Sequence, residues 1–453
     1  ENDMMNTNSM ININKFKQSF WYHLGYWTVK FPSNFLILLF VFSIMGYFTW
    51  HLFSLRLSSA YELGIPRTSD ALVATNILSQ AFVPGLLQPM YLLMRFSPNT
   101  DMPSPGPAFS KIMLDSGNEF LNLFVQTTGI TPNYTVSPFF WGGSYVDSIE
   151  RAQNLLLTDT SYQAIWSQSV SPYTPTSSPS NETVVFKILV NSPVMITSPK
   201  MVELLHLIRS NVTEPLTRQH NNTDEGVIDY FLSTYKATEE DTVNKNEETF
   251  PLMLSLTFAV VIIVVAVLLQ SAFVPIRLLL TLILPLGSTF GLAVLVYQRG
   301  ILKWTGLDMF TPQLDSIYWE LPPFAAVVLL SLALDYDIFL ILRVIEHRTN
   351  GYTNESSRLL ALYDTGSIIN AAGLIMASTF AGLLLMPSEA VNQLGWILVS
   401  SVLSDTFVVR PIIVPCVMSW GDAISWWPRK VPQQNLKHFD GTIDLQTVTT
   451  IVD

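Results

Sequence analysis

Six apolar stretches, spaced as one and then five, limit what this chain can become more than any other property of its sequence. The first is Asn34 to Trp50; the others are Pro251 to Ser271, Leu278 to Tyr297, Leu321 to Leu342, Gly366 to Met386 and Leu394 to Met418. A helix crosses about 30 Å of hydrocarbon with roughly 20 residues, and within lipid every backbone polar group must be satisfied internally, so runs of this length predict six membrane helices. Composition agrees, with 49% hydrophobic and 13% charged residues and a mean hydropathy of +0.34. Trp21, Trp27 and Lys30 before the first run, and Trp50 and His51 after it, read as interfacial anchors.

Between the first run and the second lies a polar segment, residues 55–250, that alternates strand-like with helix-like pieces. Met90–Phe96 and Thr183–Val190 are β-rich. Each is followed by helical periodicity, Ala108 to Thr127 and Pro199 to Ser210, which predicts an α/β domain inserted between helices 1 and 2. Ser169–Ser180 is a Pro/Ser-rich loop, and Glu239–Glu248 reads as an acidic loop leading back to the membrane. Phe139, Phe140 and Trp141, ahead of Gly142 and Gly143, form an aromatic cluster suited to a core or to an apolar surface. Arg299 to Trp319 reads as an amphipathic segment at the interface. The lead-in, 1–33, opens on the low-complexity run Asn2–Asn14, and 421–453 is a polar tail. A start at Glu1, with Met4 as first methionine, suggests a piece of a longer polypeptide.

Orientation follows from basic residues in short loops. Lys15, Lys17, Lys30, Arg277, Arg343, Arg348, Arg358, Arg429, Lys430 and Lys437 fall on one side, against Arg299 and Lys303 on the other, so both termini are expected in the cytosol. The same topology puts 55–250 outside or in a lumen, where the sequons at Asn133, Asn181, Asn211 and Asn221 would accept glycans in a eukaryotic host. A fifth, at Asn354, would be a cytosolic chance match. The chain is thus expected to be a multi-pass protein of the plasma membrane or an endomembrane. Of the net charge of −11, −8 belongs to residues 55–248, which hold 19 acidic and 11 basic side chains, and this argues against nucleic acid as a partner.

Two carboxylates interrupt the fourth apolar run, Asp335 and Asp337, with Tyr336 between them. An ionised Asp at the centre of a membrane helix costs about 2.5–3.5 kcal/mol on insertion scales, so such residues face a protein interior and mark ion or proton pathways. Helix geometry sets the two about 200° apart, so they do different work. Asp335 shares a stripe with Ser331, Phe339 and Leu342. A desolvated carboxylate can load and release a proton near neutral pH. The last run adds Asp405 and Arg410, which read as a structural ion pair or as relay members with Asp335; Asn370, Ser378 and Thr379 would extend a wetted track. Pro285 reads as a kink, and Gly287 and Gly291 as close-packing positions. Six histidines, at 23, 51, 206, 220, 347 and 438, show no metal spacing, and the single Cys416 reads as a packed hydrophobe. With no phosphate loop and no paired nucleophile, neither an enzyme nor a bound cofactor or metal is expected.

Three patterns carry a family likeness. Leu269–Gln270–Ser271 through Pro275 resembles a helix-to-helix hinge, with Gln270 where Arg is usual. Leu334–Asp335–Tyr336–Asp337–Ile338–Phe339–Leu340, followed by Arg343 and Glu346, resembles an Asp-Tyr element; Ser404–Asp405 through Arg410 and Pro415, ending at Trp426–Trp427–Pro428, resembles a last helix and its exit. In this order they resemble the second half of a resistance-nodulation-division (RND) transporter, of the mycobacterial membrane protein large (MmpL) branch. The resemblance covers nearly all of 18–430. It implies an RND half whose six-helix bundle carries a large external, ferredoxin-like porter domain. It also implies export of lipids or other amphiphiles driven by the proton-motive force, with Asp335, Tyr336 and Asp405 as the relay facing the bundle core. On this reading Asp337 approaches the cytosolic interface and pairs with Arg343. Its partners would be membrane lipids, a hydrophobic cargo, protons, and a missing first half or a second copy. A sterol-sensing-like lipid sensor or scaffold, and a protein-export motor, are the other readings.

Overall fold

A computed structural model describes residues 19–81, 90–98, 107–130, 136–142, 154–155, 158, 184–190, 194, 199–220, 226–271 and 273–419. The chain divides into two compact units, 68–245 and the remainder. In chain order the elements are α1 Phe20–Val29, α2 Ser33–Leu52, β1 Leu57–Ser58, α3 Asp70–Ala81, β2 Met90–Pro98, α4 Pro107–Thr128, β3 Val136–Gly142, β4 Val184–Val190, α5 Pro199–Ile208, α6 Glu214–Gln219, β5 Gly226–Ser233, α7 Tyr235–Leu269, α8 Phe273–Ala293, β6 Ile317–Tyr318, α9 Leu321–Thr349, α10 Asn354–Ala381, α11 Glu389–Ser404 and α12 Val414–Ser419.

The smaller unit folds β-α-β-β-α-β. Its sheet runs β3-β4-β2-β5, and every neighbouring pair is antiparallel. The register sets Leu92 opposite both Ile188 and Leu232. Alternate residues bury one face, Met90, Leu92 and Met94 with Ile228, Tyr230 and Leu232, against Phe120 and Phe124 of α4 and Met201 and Leu205 of α5. On the alternate positions Lys187 lies 4.0 Å over the Tyr91 ring, and Arg95 pairs with Asp229 at 2.5 Å. Pro107 opens α4 at a first-turn position, where its missing N–H costs nothing. Phe139, Phe140 and Trp141 lie on strand β3. Residues 239–248 are helical within α7 rather than a loop. Their Glu- and Lys-rich composition favours helix, and ion pairs from Lys236 to Glu239 (3.3 Å) and from Arg209 to Asp241 hold that turn. Of the sequons, Asn211 is exposed in a π-helical turn, 209–213, and Asn133, Asn181 and Asn221 lie outside the described residues.

The larger unit holds six helices long and apolar enough to cross a membrane: 33–52, 235–269, 274–298, 321–349, 354–385 and 389–419. Leu252, Leu256, Val260, Ile263 and Val267 of α7 are all exposed, an apolar surface suited to lipid. α2 crosses α8 so closely that a Cβ added at Gly291 would collide with the Phe48 carbonyl oxygen. Pro285 frees hydrogen-bonding capacity within α8, and the hydroxyls of Ser288 and Thr289 donate to its own carbonyl at 2.8 and 2.9 Å. Asn34 Nδ2 donates to Ser419 Oγ at 2.7 Å, tying the start of α2 to the end of α12. The sequon at Asn354 is a helix start: Thr353 is the N-cap, and its Oγ1 accepts from Ser356 N at 3.2 Å. Segment 299–319 forms short 3₁₀ turns and strand β6, paired parallel to β1, and Gly300 and Gly306 take positive φ within it.

A polar network fastens this end of the unit. Glu389, Asn392 and Gln393 at the start of α11 are each 0% exposed. Glu389 accepts from Gln313 N (2.7 Å) and Gln393 bonds Tyr318 N and Ser316 O (2.9 and 3.0 Å). Arg67 donates to Asn392 Oδ1 at 2.8 Å and to Thr311 O at 3.2 Å.

Candidate functional site

One cluster of buried charge lies where α8, α9 and the last span meet. α9 buries a stripe containing Leu330, Asp337, Ile341 and Val344, and its opposite stripe, Phe324, Val327, Ser331, Asp335, Phe339, Leu342 and Glu346, is exposed. Helix periodicity groups these residues correctly; the resemblance set Asp335 toward the bundle core, and within this unit its stripe is the exposed one. Asp335 lies on the outer surface of this unit, and Asp337, at 1% exposure, lies inside. Nor does Asp337 pair with Arg343. Six residues turn a helix by about 240°, which sends the two side chains to different sides. Arg343 instead pairs with Glu346 at 2.6 Å and with Asp364 at 3.1 Å, and Asp364 also meets His347 Nε2 at 2.9 Å.

Around Asp337 the bundle gathers two guanidinium groups, Arg410 and Arg277, at 2% and 4% exposure, both within electrostatic reach. Among the described residues neither oxygen of Asp337 accepts a hydrogen bond. Arg410 donates through Nη2 to Asp405 Oδ2, as one of the sequence alternatives expects, and its guanidinium carbon lies 3.9 Å over the ring of Tyr336. The cluster therefore balances two carboxylates, Asp337 and Asp405, against two guanidiniums. Arg277 reads in the sequence as a loop cation because it closely follows the end of α7, but it lies in the first turns of α8 and is buried.

Local backbone geometry sets the pair on the last span. Residues 405–413 form a π-helical stretch that begins at Asp405 and contains Arg410 and Pro411, so the i, i+5 separation of acid and base matches the hydrogen-bond spacing of that wider helix. Thr406 is pressed against Gly373 of α10, where an added Cβ would strike its side chain. Asp405 also borders a cavity of about 30 Å³, shared with Thr281, Pro285, Leu329, Ala333 and Ser401. At roughly 10–15 Å³ per water, this has room for about two. Ser378 and Thr379 are exposed and donate to the Ile375 carbonyl at 2.7 and 2.9 Å, so the expected track does not include them; Asn370 is half-buried.

Chemically, the arrangement offers one guanidinium, Arg410, to two carboxylates. Arg410 holds Asp405 and lies near an Asp337 that no hydrogen bond occupies. Neutralising one carboxylate would release the guanidinium toward the other.

Residues 221–439 match the family model described as the MMPL family. Among curated proteins, the chain is 34% identical over 209 residues to Probable transport protein MmpL10 of Mycobacterium leprae, a match covering 46% of this chain and 19% of that protein. It is 30% identical over 183 residues to Putative membrane protein ActII-3 of Streptomyces coelicolor, covering 40% and 24% of the two chains. It is 29% identical over 188 residues to Sulfolipid-1 exporter MmpL8 of Mycobacterium tuberculosis, covering 42% and 16%. The matched stretch thus spans about a quarter or less of these relatives' lengths. The match to the MMPL family model covers residues 221–439, which carry helices α7 to α12 and the whole buried charge cluster, and over this stretch the chain is similar to MmpL-type transport proteins.

Proposed function

We propose that the chain is one six-helix half of a secondary transporter that uses proton movement to export a lipid or another amphiphile. The observation that carries this reading is Asp337, a fully buried carboxylate without a hydrogen-bond partner among the described residues, beside an arginine already engaged by a second carboxylate. A static buried pair is normally satisfied by hydrogen bonds. An unsatisfied acid next to a shared base is what a protonation cycle requires. Protonation of Asp405 would free Arg410 to engage Asp337, and deprotonation would return it, with Tyr336 steadying the guanidinium through its ring face. The waters that the cavity beside Asp405 can accommodate would deliver the proton.

Asp335 enters this reading through a partner. An exposed carboxylate on a membrane helix is costly in lipid. A second six-helix half, on the same polypeptide or in another copy, would cover the stripe of Ser331, Asp335 and Phe339 and join Asp335 and Tyr336 to the relay. With both termini cytosolic, the β-α-β-β-α-β unit would be the external, porter-type domain through which the amphiphile passes. The naming of MmpL8 as a sulfolipid exporter supports a lipid cargo.

The test is proton flux and lipid efflux in reconstituted vesicles under an imposed pH gradient. Asp337→Asn and Asp335→Asn should each abolish gradient-dependent efflux. Efflux that survives both substitutions, or that ignores collapse of the gradient, refutes proton coupling; lipid binding without any flux would favour a sensor.

A further inference from the structure

A second polar cavity opens at the end of the membrane unit where α2 finishes and segment 299–319 begins. Its volume is about 210 Å³, and its walls are Ser54, Arg56, Val294, Gln298, Arg299 and Asp315. Arg56 follows α2 and Arg299 follows the π turn that ends the α8 span, so two separate segments deliver a guanidinium to one pocket. Both arginines are exposed, and neither side chain makes a hydrogen bond or ion pair among the described residues. Gln298 Nε2 donates to the Arg56 carbonyl at 3.3 Å, and its Oε1 is buried with no donor. Asp315 contributes the single carboxylate, so the wall is net positive. Around this end Trp50, Phe53 and Trp304 are 72%, 85% and 83% exposed. Aromatic rings of this kind settle at the depth of lipid headgroups.

Free guanidiniums without protein acceptors, a carbonyl oxygen without a donor, and an aromatic surround describe one ligand chemistry. We infer that this cavity binds the anionic headgroup of an amphiphile, a phosphodiester or sulfate ester that also carries a hydroxyl. Arg56 and Arg299 donate to the ester oxyanion, as planar guanidiniums do well. Gln298 Oε1 accepts from the hydroxyl. The same oxyanion chemistry exists in free phosphate, which would lack the chains that the exposed aromatic rings contact. Which leaflet the site faces rests on the topology proposed above, and the site's chemistry does not.

The experiment uses the full chain purified in detergent and native mass spectrometry of the lipids it retains. Phosphatidylglycerol and phosphatidylcholine are offered at matched concentration, and inorganic phosphate is titrated separately. The wild type should retain phosphatidylglycerol about tenfold better than phosphatidylcholine, and Arg56→Gln with Arg299→Gln should erase that preference. Arg56→Lys with Arg299→Lys should keep a reduced preference, and it carries the comparison should the Gln pair unfold. Equal retention of the two lipids by the wild type, or unchanged phosphatidylglycerol retention in the Gln pair, overturns the site. If inorganic phosphate at millimolar concentration displaces the lipid with the same arginine dependence, the amphiphile is overturned as the ligand. Asp337→Asn should leave this preference intact, so failure of the transport mechanism and failure of the headgroup site give different results.

Discussion

Replacing Arg410 by Met tests whether the cluster is energetically one unit. The guanidinium is 2% exposed and the Asp405 side chain 16%, so neither can turn to bulk water when its partner is lost. Removing one member of a buried pair costs about 3–5 kcal/mol because the other charge is left uncompensated. The contact with Tyr336 at 3.9 Å adds about 1–2 kcal/mol in a desolvated site. Asp337 is left with Arg277 alone as its nearby cation. In thermal unfolding of the purified protein, this should lower the midpoint by roughly 10 °C. Asp405→Asn in the Arg410→Met background removes the stranded carboxylate, so the double variant should recover at least about 2 kcal/mol relative to the sum of the singles. Strict additivity of the two substitutions would refute the pairing. The same cycle with Asp364→Asn, which belongs to the separate Arg343–His347 group, should show no coupling.

Gly291→Ala should destabilise the bundle by about 1–3 kcal/mol, read as a lower unfolding midpoint, because its new methyl meets the Phe48 carbonyl oxygen, which cannot rotate away. Asp337→Asn should destabilise the bundle by about 3–5 kcal/mol, read as a lower unfolding midpoint, because it removes the carboxylate that faces buried Arg277 and Arg410, while gradient-driven efflux disappears. Burial raises the pKa of the Tyr230 hydroxyl. The unfolded chain then releases that proton first, and above about pH 10 the stability of the β-α-β-β-α-β unit should fall by up to about 1.4 kcal/mol per pH unit. Tyr230→Phe should flatten this dependence in alkaline denaturation measured by circular dichroism.

Length and hydrophobicity made all six spans readable, since bilayer thickness imposes a minimum that loops and core helices rarely meet. Strands β2 and β4 and helices α4 and α5 were equally readable, because their periods differ cleanly. β3 was not, because Pro138 sits inside it, and β5 was hidden behind the helix-forming run that follows. The orientation of Asp335 and Asp337 could not be obtained from periodicity. In a soluble helix the polar stripe faces water, whereas α9 is apolar on both sides, with Phe324 and Val327 outside and Leu330 and Leu340 inside. Angular separation survives that ambiguity and absolute direction does not. The Asp405–Arg410 pair lay within reach because acid and base occupy one segment, and Arg277 did not because its partners come from α9.

The network around Glu389, Asn392 and Gln393 has a mechanical consequence. It clamps the first turns of α11 to residues 311–318 and to Arg67, so that end of the rod has no freedom to tilt. Further along the same rod, 405–413 is wound more loosely than an α-helix, with fewer well-aligned bonds to resist bending. A rod clamped at one end and softened further along flexes at the soft place. The soft place in this rod also holds its Asp405–Arg410 pair, so a proton arriving at Asp405 would act where a small force gives the largest displacement of α12 and of the Asn34 contact it carries.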